Sequence, residues 1–217
     1  MRYESFESAL FEVREWVRGV LETASTPLAR LLARLKITPN QVSAAGFALN
    51  VVAAIFVATN DLVVAGAVYI LAGGMDLMDG TLARVTGRAT KFGAFFDSTL
   101  DRISEGVVFA AITYRFAADG RVLLTAVVVL ALLGSLLVSY VRARAEGLGG
   151  QCKVGLLTRA ERVLILTAGL LFGVLEPAIV VIAVLTAVTV VQRVYHVAKA
   201  FAPLPKGDEA ASPGSSG

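Results

Sequence analysis

Four aspartates at helical spacing are the residues of this sequence best suited to chemistry. Asp76 and Asp79 are three apart, and Asp97 and Asp101 are four apart. Those separations put each pair on one face of a helix. The stretch between the pairs contains Gly87 and several polar residues, so two helices can fold back there and bring the pairs together. Four converging carboxylates would repel one another, and they are costly to ionise near a membrane. Divalent cations with oxygen ligands, Mg²⁺ or Mn²⁺, resolve that conflict. Two such ions suit chemistry on a pyrophosphate, because they bind its oxygens and stabilise the leaving group. The blander alternative is a set of helix-end charges paired with Arg84, Arg88 or Arg102. It accounts for one aspartate pair better than for two.

The elements that position these residues belong in lipid. The chain has 217 residues, of which 56% are hydrophobic and 17% charged, and its mean hydropathy is +0.73. A soluble domain of this length lies well below that. The single cysteine, Cys152, excludes an internal disulfide framework and offers no zinc spacing. The single histidine, His196, argues against a His-based metal site or a Ser–His–Asp triad. Charged residues from Arg2 to Arg14 depart from the usual pattern of a cleavable signal peptide.

Periodicity predicts an all-α, integral-membrane bundle of six transmembrane helices, preceded by an N-terminal amphipathic interfacial helix. The amphipathic helix runs from about Tyr3 to Leu21, with apolar residues at helical spacing between Glu4, Glu12, Arg14, Glu15 and Arg18. A second short helix follows around Pro27–Leu35, and Thr38-Pro39-Asn40 marks a turn and a new helix start. The six spans are then Gln41–Thr59, Leu62 to beyond Met75, Phe92–Phe116, Val122–Ala143, Arg159–Leu175 and Pro177–Val197. Each is near the ~20 residues that a helix needs to cross the hydrocarbon. Three regions follow: juxtamembrane helices over 1–37, the six-span domain over 38–200, and a disordered tail over 201–217 rich in Gly, Pro, Ser and Ala. With the N-terminus in the cytoplasm, every Lys and Arg except Arg115 and Arg121 falls on the cytoplasmic side. That bias predicts a cytoplasmic-membrane protein with both termini and the aspartates facing inward.

The run Asp76-x2-Asp79-Gly80-x2-Ala83-Arg84-x8-Gly93-x3-Asp97-x3-Asp101 resembles the complete motif of the CDP-alcohol phosphotransferases. All eight fixed residues are present at the family's spacing, and the resemblance covers about residues 25–200. It implies that Asp76, Asp79 and Asp97 are metal ligands. Asp101 is then the general base for the acceptor hydroxyl and also touches a metal. Gly80 and Ala83 become small-residue positions where the nucleotide approaches closely, Gly93 a further nucleotide-binding position that also permits close helix approach, and Arg84 a partner of the nucleotide phosphates. Two Mg²⁺ or Mn²⁺ ions and a CDP-diacylglycerol donor, or an archaeal-type CDP-lipid, are implied as well. So are homodimers, for which the residues themselves give no sign.

A second cluster bears on the acceptor. Ser139-Tyr140-Val141-Arg142-Ala143-Arg144-Ala145-Glu146 ends the fourth span, Arg159-Ala160-Glu161-Arg162 opens the fifth, and Gln192-Arg193 ends the sixth. Arginines converging on one membrane face make an anion site for a phosphorylated acceptor. The positive-inside bias accounts for any one of them singly. These segments resemble the phosphatidylinositol-phosphate synthase branch of the family. That likeness implies acceptor-phosphate binding by Arg142, Arg162 and Arg193, with inositol 1-phosphate as the acceptor. Arg142 stands where that branch often has lysine. Glycerol 3-phosphate, giving a phosphatidylglycerophosphate synthase, is the nearest rival. A membrane cation transporter is the rival from another class, since intramembrane carboxylates often mark ion paths. It fits less well, because the aspartates gather near one face and no inverted repeat is apparent. No nucleic-acid partner is expected.

Overall fold

The computed structural model describes residues 2–202. Among them the regular elements are seven helices: α1 (Arg2–Arg34), α2 (Pro39–Ala58), α3 (Leu62–Val85), α4 (Lys91–Ala118), α5 (Val122–Gly147), α6 (Arg159–Leu171) and α7 (Leu175–Ala200). The disordered tail expected from the sequence falls almost wholly on residues 203–217, outside the described residues.

The helix boundaries follow local chemistry. Thr38 caps α2 as the sequence signalled: its hydroxyl accepts from the Gln41 amide, and the Gln41 side chain accepts from the Thr38 amide at 2.8 Å. Thr90 caps α4 in the same way, accepting from the Gly93 amide at 2.9 Å. The tight connections place Asn60, Gly87, Gly120 and Gly173 in the left-handed region. That conformation is easiest for glycine and tolerated by asparagine.

Four helices, α2, α3, α5 and α7, are long and apolar enough to cross a membrane, and the chain is an integral-membrane protein. Two of the expected elements differ from the sequence reading. The Tyr3–Leu21 and Pro27–Leu35 helices are one continuous helix, α1, with Pro27 inside it. Proline removes one amide donor from the ladder, and the hydroxyls of Ser25 and Thr26 donate to the nearby Glu22 carbonyl at 3.1 and 2.8 Å. The span expected over Arg159–Leu175 is a helix of only 13 residues, about 20 Å long at 1.5 Å per residue. Gly173 turns the chain at its far end.

The packing explains why so short a helix suffices. α2 packs on α3 and α4, α3 on α6, α4 on α5, and α5 on α7, while α1 lies on α3. One core contains Val57, Tyr69, Phe109, Ile112, Leu166, Leu170, Ile179 and Ile182. A smaller one joins Ala29 of α1 to Val42, Met78 and Leu82. Asp76 lies nine residues before the end of α3 and Asp101 ten residues after the start of α4, roughly 14 Å below those helix ends. α6 begins at that level, so its missing turns leave the approach to the aspartates open.

Two glycines, Gly66 and Gly134, allow close packing between helices. A Cβ at Gly66 would lie 2.8 Å from Leu171, and one at Gly134 would collide with Thr186. Ala67 is exposed and packs against nothing in the core.

Candidate active site

The aspartates meet because α3 and α4 both pack on α2 and are joined by five residues, with Gly87 at the turn. Asp79 is buried and accepts a hydrogen bond of 2.5 Å from Ser43 of α2. Asp97 lines the same cavity as Asp79. Arg159, the first residue of α6, brings a single nitrogen to 2.6 Å from Asp76 and 2.9 Å from Asp101. Its position is set by a capping box in which the Thr158 amide donates to Glu161 at 2.7 Å.

Two clefts reach this cluster from different sides. The first is a cavity of ≈ 230 Å³ lined by Asp79, Asp97, Gly80, Ala83, Arg84 and Gly93, among others. It gathers all four residues expected to contact a nucleotide. Gly80 leaves room beside the Arg84 guanidinium, since a Cβ there would lie 3.6 Å from it. Gly93 is tight against α2 and its own cap: a Cβ would come within 3.0 Å of Thr90 and 3.4 Å of Asn40. Arg84 is ion-paired with Glu22 of α1 at 3.0 Å. The space continues past Arg84 into a cavity of ≈ 460 Å³ walled by Val17, Leu21 and Glu22 of α1, by Leu77 of α3 and by Leu164 of α6.

The second cleft, ≈ 420 Å³, is lined by Asp101, Arg142, Arg159, Arg162, Arg193 and several serine and threonine hydroxyls. The three arginines expected at an acceptor phosphate therefore share one cavity with the expected base. Their surroundings differ. Arg142 is exposed and pairs with Glu146 at 2.8 Å. Arg162 is buried and grips Glu105 with two hydrogen bonds of 2.7 and 3.0 Å, which leave its second terminal nitrogen without a partner. Arg193 donates to the carbonyls of Val154, at 3.0 Å, and Val138, tying α7 to α5 and to the α5–α6 loop. Cys152, in that loop, is buried; burial pushes its thiol up, which keeps it protonated and inert.

Sequence reasoning did not place Arg159, Glu105 or Ser43 in the site. Arg159 was one of several helix-end arginines, and nothing in its spacing pointed across 83 residues to Asp76. Glu105 carried a faint signal, as an isolated acid in the apolar run of α4. Ser43 carried none.

The residues fit divalent cations. The donors are oxygens only, the set that hard divalent ions prefer, and two carboxylates on one cavity, Asp79 and Asp97, call for a shared positive charge. Among the described residues, no three acidic, cysteine or histidine side chains are yet arranged to enclose an ion. Asp76 and Asp101 are held by Arg159 instead.

Known proteins resemble this chain over most of its length. The CDP-alcohol phosphatidyltransferase family profile matches residues 36–192. An archaetidylinositol phosphate synthase of Pyrococcus horikoshii is 37% identical, over 88% of this chain and 97% of its own length. A phosphatidylinositol phosphate synthase of Corynebacterium glutamicum is also 37% identical, over 85% of this chain and 90% of its own. Among solved structures, the phosphatidylinositol phosphate synthase of Mycobacterium tuberculosis with CDP-DAG bound superposes with a TM-score of 0.77 at 31% identity, covering 83% of this chain and 98% of that one. The same enzyme in complex with manganese and citrate gives a TM-score of 0.76, covering 85% of this chain and 96% of that one.

Proposed function

The chain belongs to the CDP-alcohol phosphatidyltransferase family, and from that premise we propose that it transfers a phosphatidyl-type group from a CDP-activated lipid to inositol 1-phosphate. The products are phosphatidylinositol phosphate, or its archaeal ether counterpart, and CMP. The carrying observation is the division of the aspartates between two clefts. Asp79 and Asp97 line the cavity that holds Gly80, Ala83, Arg84 and Gly93, whereas Asp101 lines the arginine cleft.

In this reading Asp101 takes the proton from an acceptor hydroxyl. The freed oxygen attacks the lipid-bearing phosphorus, a new P–O bond forms, the diphosphate P–O bond breaks, and CMP leaves through the cavity beside Arg84. Arg142, Arg162 and Arg193 hold the acceptor's own phosphate, with guanidinium forks matched to its oxygens. Asp76, Asp79 and Asp97, with Asp101, would hold two Mg²⁺ or Mn²⁺ ions, which supply positive charge for the diphosphate oxygens. Ser43 fixes the Asp79 carboxylate for that task. The manganese in the mycobacterial relative supports this assignment, and CDP-DAG in the other structure of that enzyme supports the donor.

The same reading completes the membrane architecture. α4 and α6 join the four apolar helices in a six-helix bundle. α1 lies along the interface, where Trp16, Leu28 and Leu31 are exposed on it. The end of the bundle that carries the site faces the cytoplasm, as the basic residues favour.

The deciding experiment measures CMP release from a CDP-lipid with inositol 1-phosphate, glycerol 3-phosphate, serine and free inositol in turn. Release with inositol 1-phosphate alone is expected. Activity confined to the unphosphorylated acceptors would remove the arginine cleft from the mechanism.

A further inference from the structure

The four aspartates do not share one electrostatic setting. Arg159 neutralises Asp76 and Asp101, one from each helix, with a single nitrogen at 2.6 and 2.9 Å. The other two, Asp79 and Asp97, line one cavity, and among the described residues neither forms an ion pair with a Lys or Arg, the charges of Arg159 and Arg102 reaching Asp97 only from farther off. The cluster is therefore split into a half already holding a cation and a half without one.

Of the two cavities that Arg159 lines, one alone has room for its side chain. On one side it borders a pocket of ≈ 10 Å³ with Asn50, Tyr69, Ser104 and Glu105, room for one water at most and too small for a guanidinium. On the other side it borders the ≈ 420 Å³ arginine cleft. Its backbone is fixed by the Thr158–Glu161 capping box, so the movement available is a side-chain swing into that cleft.

We propose that Arg159 is an internal counter-ion that makes the two metal positions unequal and couples the second to the acceptor. This inference rests on the aspartates being metal ligands, as above. The Asp79–Asp97 half takes a divalent ion without competition. The Asp76–Asp101 half takes one only as Arg159 swings into the arginine cleft, where it adds a positive charge for the acceptor phosphate. Acceptor binding and the second metal thus favour each other, as reciprocal linkage requires.

The test is a Mn²⁺ titration of the purified protein without donor, followed by calorimetry and by the EPR signal of free Mn²⁺. Two steps are expected, and inositol 1-phosphate tightens only the weaker one. Arg159→Gln is expected to tighten that weaker step by about tenfold, to leave the stronger step in place as a sign of intact folding, and to abolish the effect of inositol 1-phosphate. Arg159→Lys keeps the charge with a different reach and retains part of that effect. Loss of a nearby positive charge alone would strengthen both steps alike, and that result would overturn the proposal. So would a second step that Arg159→Gln leaves unchanged. Absence of any Mn²⁺ binding in the native protein would instead remove the aspartates' metal-holding role, and this inference with it.

Discussion

Arg162 of α6 and Glu105 of α4 are joined by a buried two-pronged ion pair, with the Arg162 side chain 2% exposed and that of Glu105 8%. The pair fastens the short helix α6 to the bundle directly beneath the arginine cleft. Removing one partner strands the other's charge in a poorly solvated interior. Glu105→Ala is therefore expected to destabilise the protein by about 3–5 kcal/mol, read by thermal or denaturant unfolding in detergent. Replacing both, as Glu105→Leu with Arg162→Met, should recover much of that stability. The double variant should still need far more inositol 1-phosphate, because the cleft has lost a guanidinium.

Asp101 is the motif aspartate that faces the acceptor cleft. Asp101→Asn keeps its size and removes its basicity. CMP release is expected to fall by about 10²–10⁴-fold, while a CDP-lipid still binds. A variant that released CMP at the native rate would eliminate Asp101 as the base.

Metal removal has a structural readout besides activity. With four carboxylates and one bridging arginine, the stripped cluster keeps a surplus of negative charge. Chelation should abolish CMP release and lower the melting temperature, and Mg²⁺ or Mn²⁺ should restore both. A melting temperature indifferent to chelation would argue against ion binding in the cluster.

Gly134 of α5 faces Thr186 of α7 so closely that a methyl group has no space. Gly134→Ala should cost about 1–3 kcal/mol through overpacking, measured by unfolding. Gly106 has nothing within reach of an added methyl. Gly106→Ala should match or slightly exceed native stability, since alanine is the better helix former.

Cys152 gives a pH-dependent prediction. Burial raises its thiol above the ordinary value, so the thiolate fraction at neutral pH is smaller than that of a free thiol. Alkylation of the folded protein should be slow near pH 7 and accelerate only at a higher pH than in the unfolded chain, as mass spectrometry would record. Cys152→Ser should leave CMP release unchanged.

The aspartates were legible in the sequence because helical periodicity is a local rule: a spacing of three or four fixes a shared face before any tertiary contact forms. The capped start of α2 at Thr38 was legible for the same reason. Arg159 was not, because its role depends on the packing of α6 against α3, and no local pattern encodes a contact between residues so far apart. The length of α6 was misread because hydropathy runs smoothly through Leu171–Leu175, while the turn at Gly173 interrupts the helix there. The join within α1 was missed because Pro27 looked like a boundary. The helix runs on through it, with the Ser25 and Thr26 hydroxyls donating to the Glu22 carbonyl in the preceding turn.

The shortness of α6 also bears on the traffic that the proposed reaction needs. Its first residue stands level with the aspartates, and the arginine cleft beside it is where a water-soluble acceptor would enter. The α1-walled cavity carries the apolar side chains of Val17, Leu21, Leu77 and Leu164, a surface suited to lipid chains. The two reactants would then arrive through separate doors, one polar and one greasy. The product, carrying both the chains and the new head group, would have to leave by the greasy one.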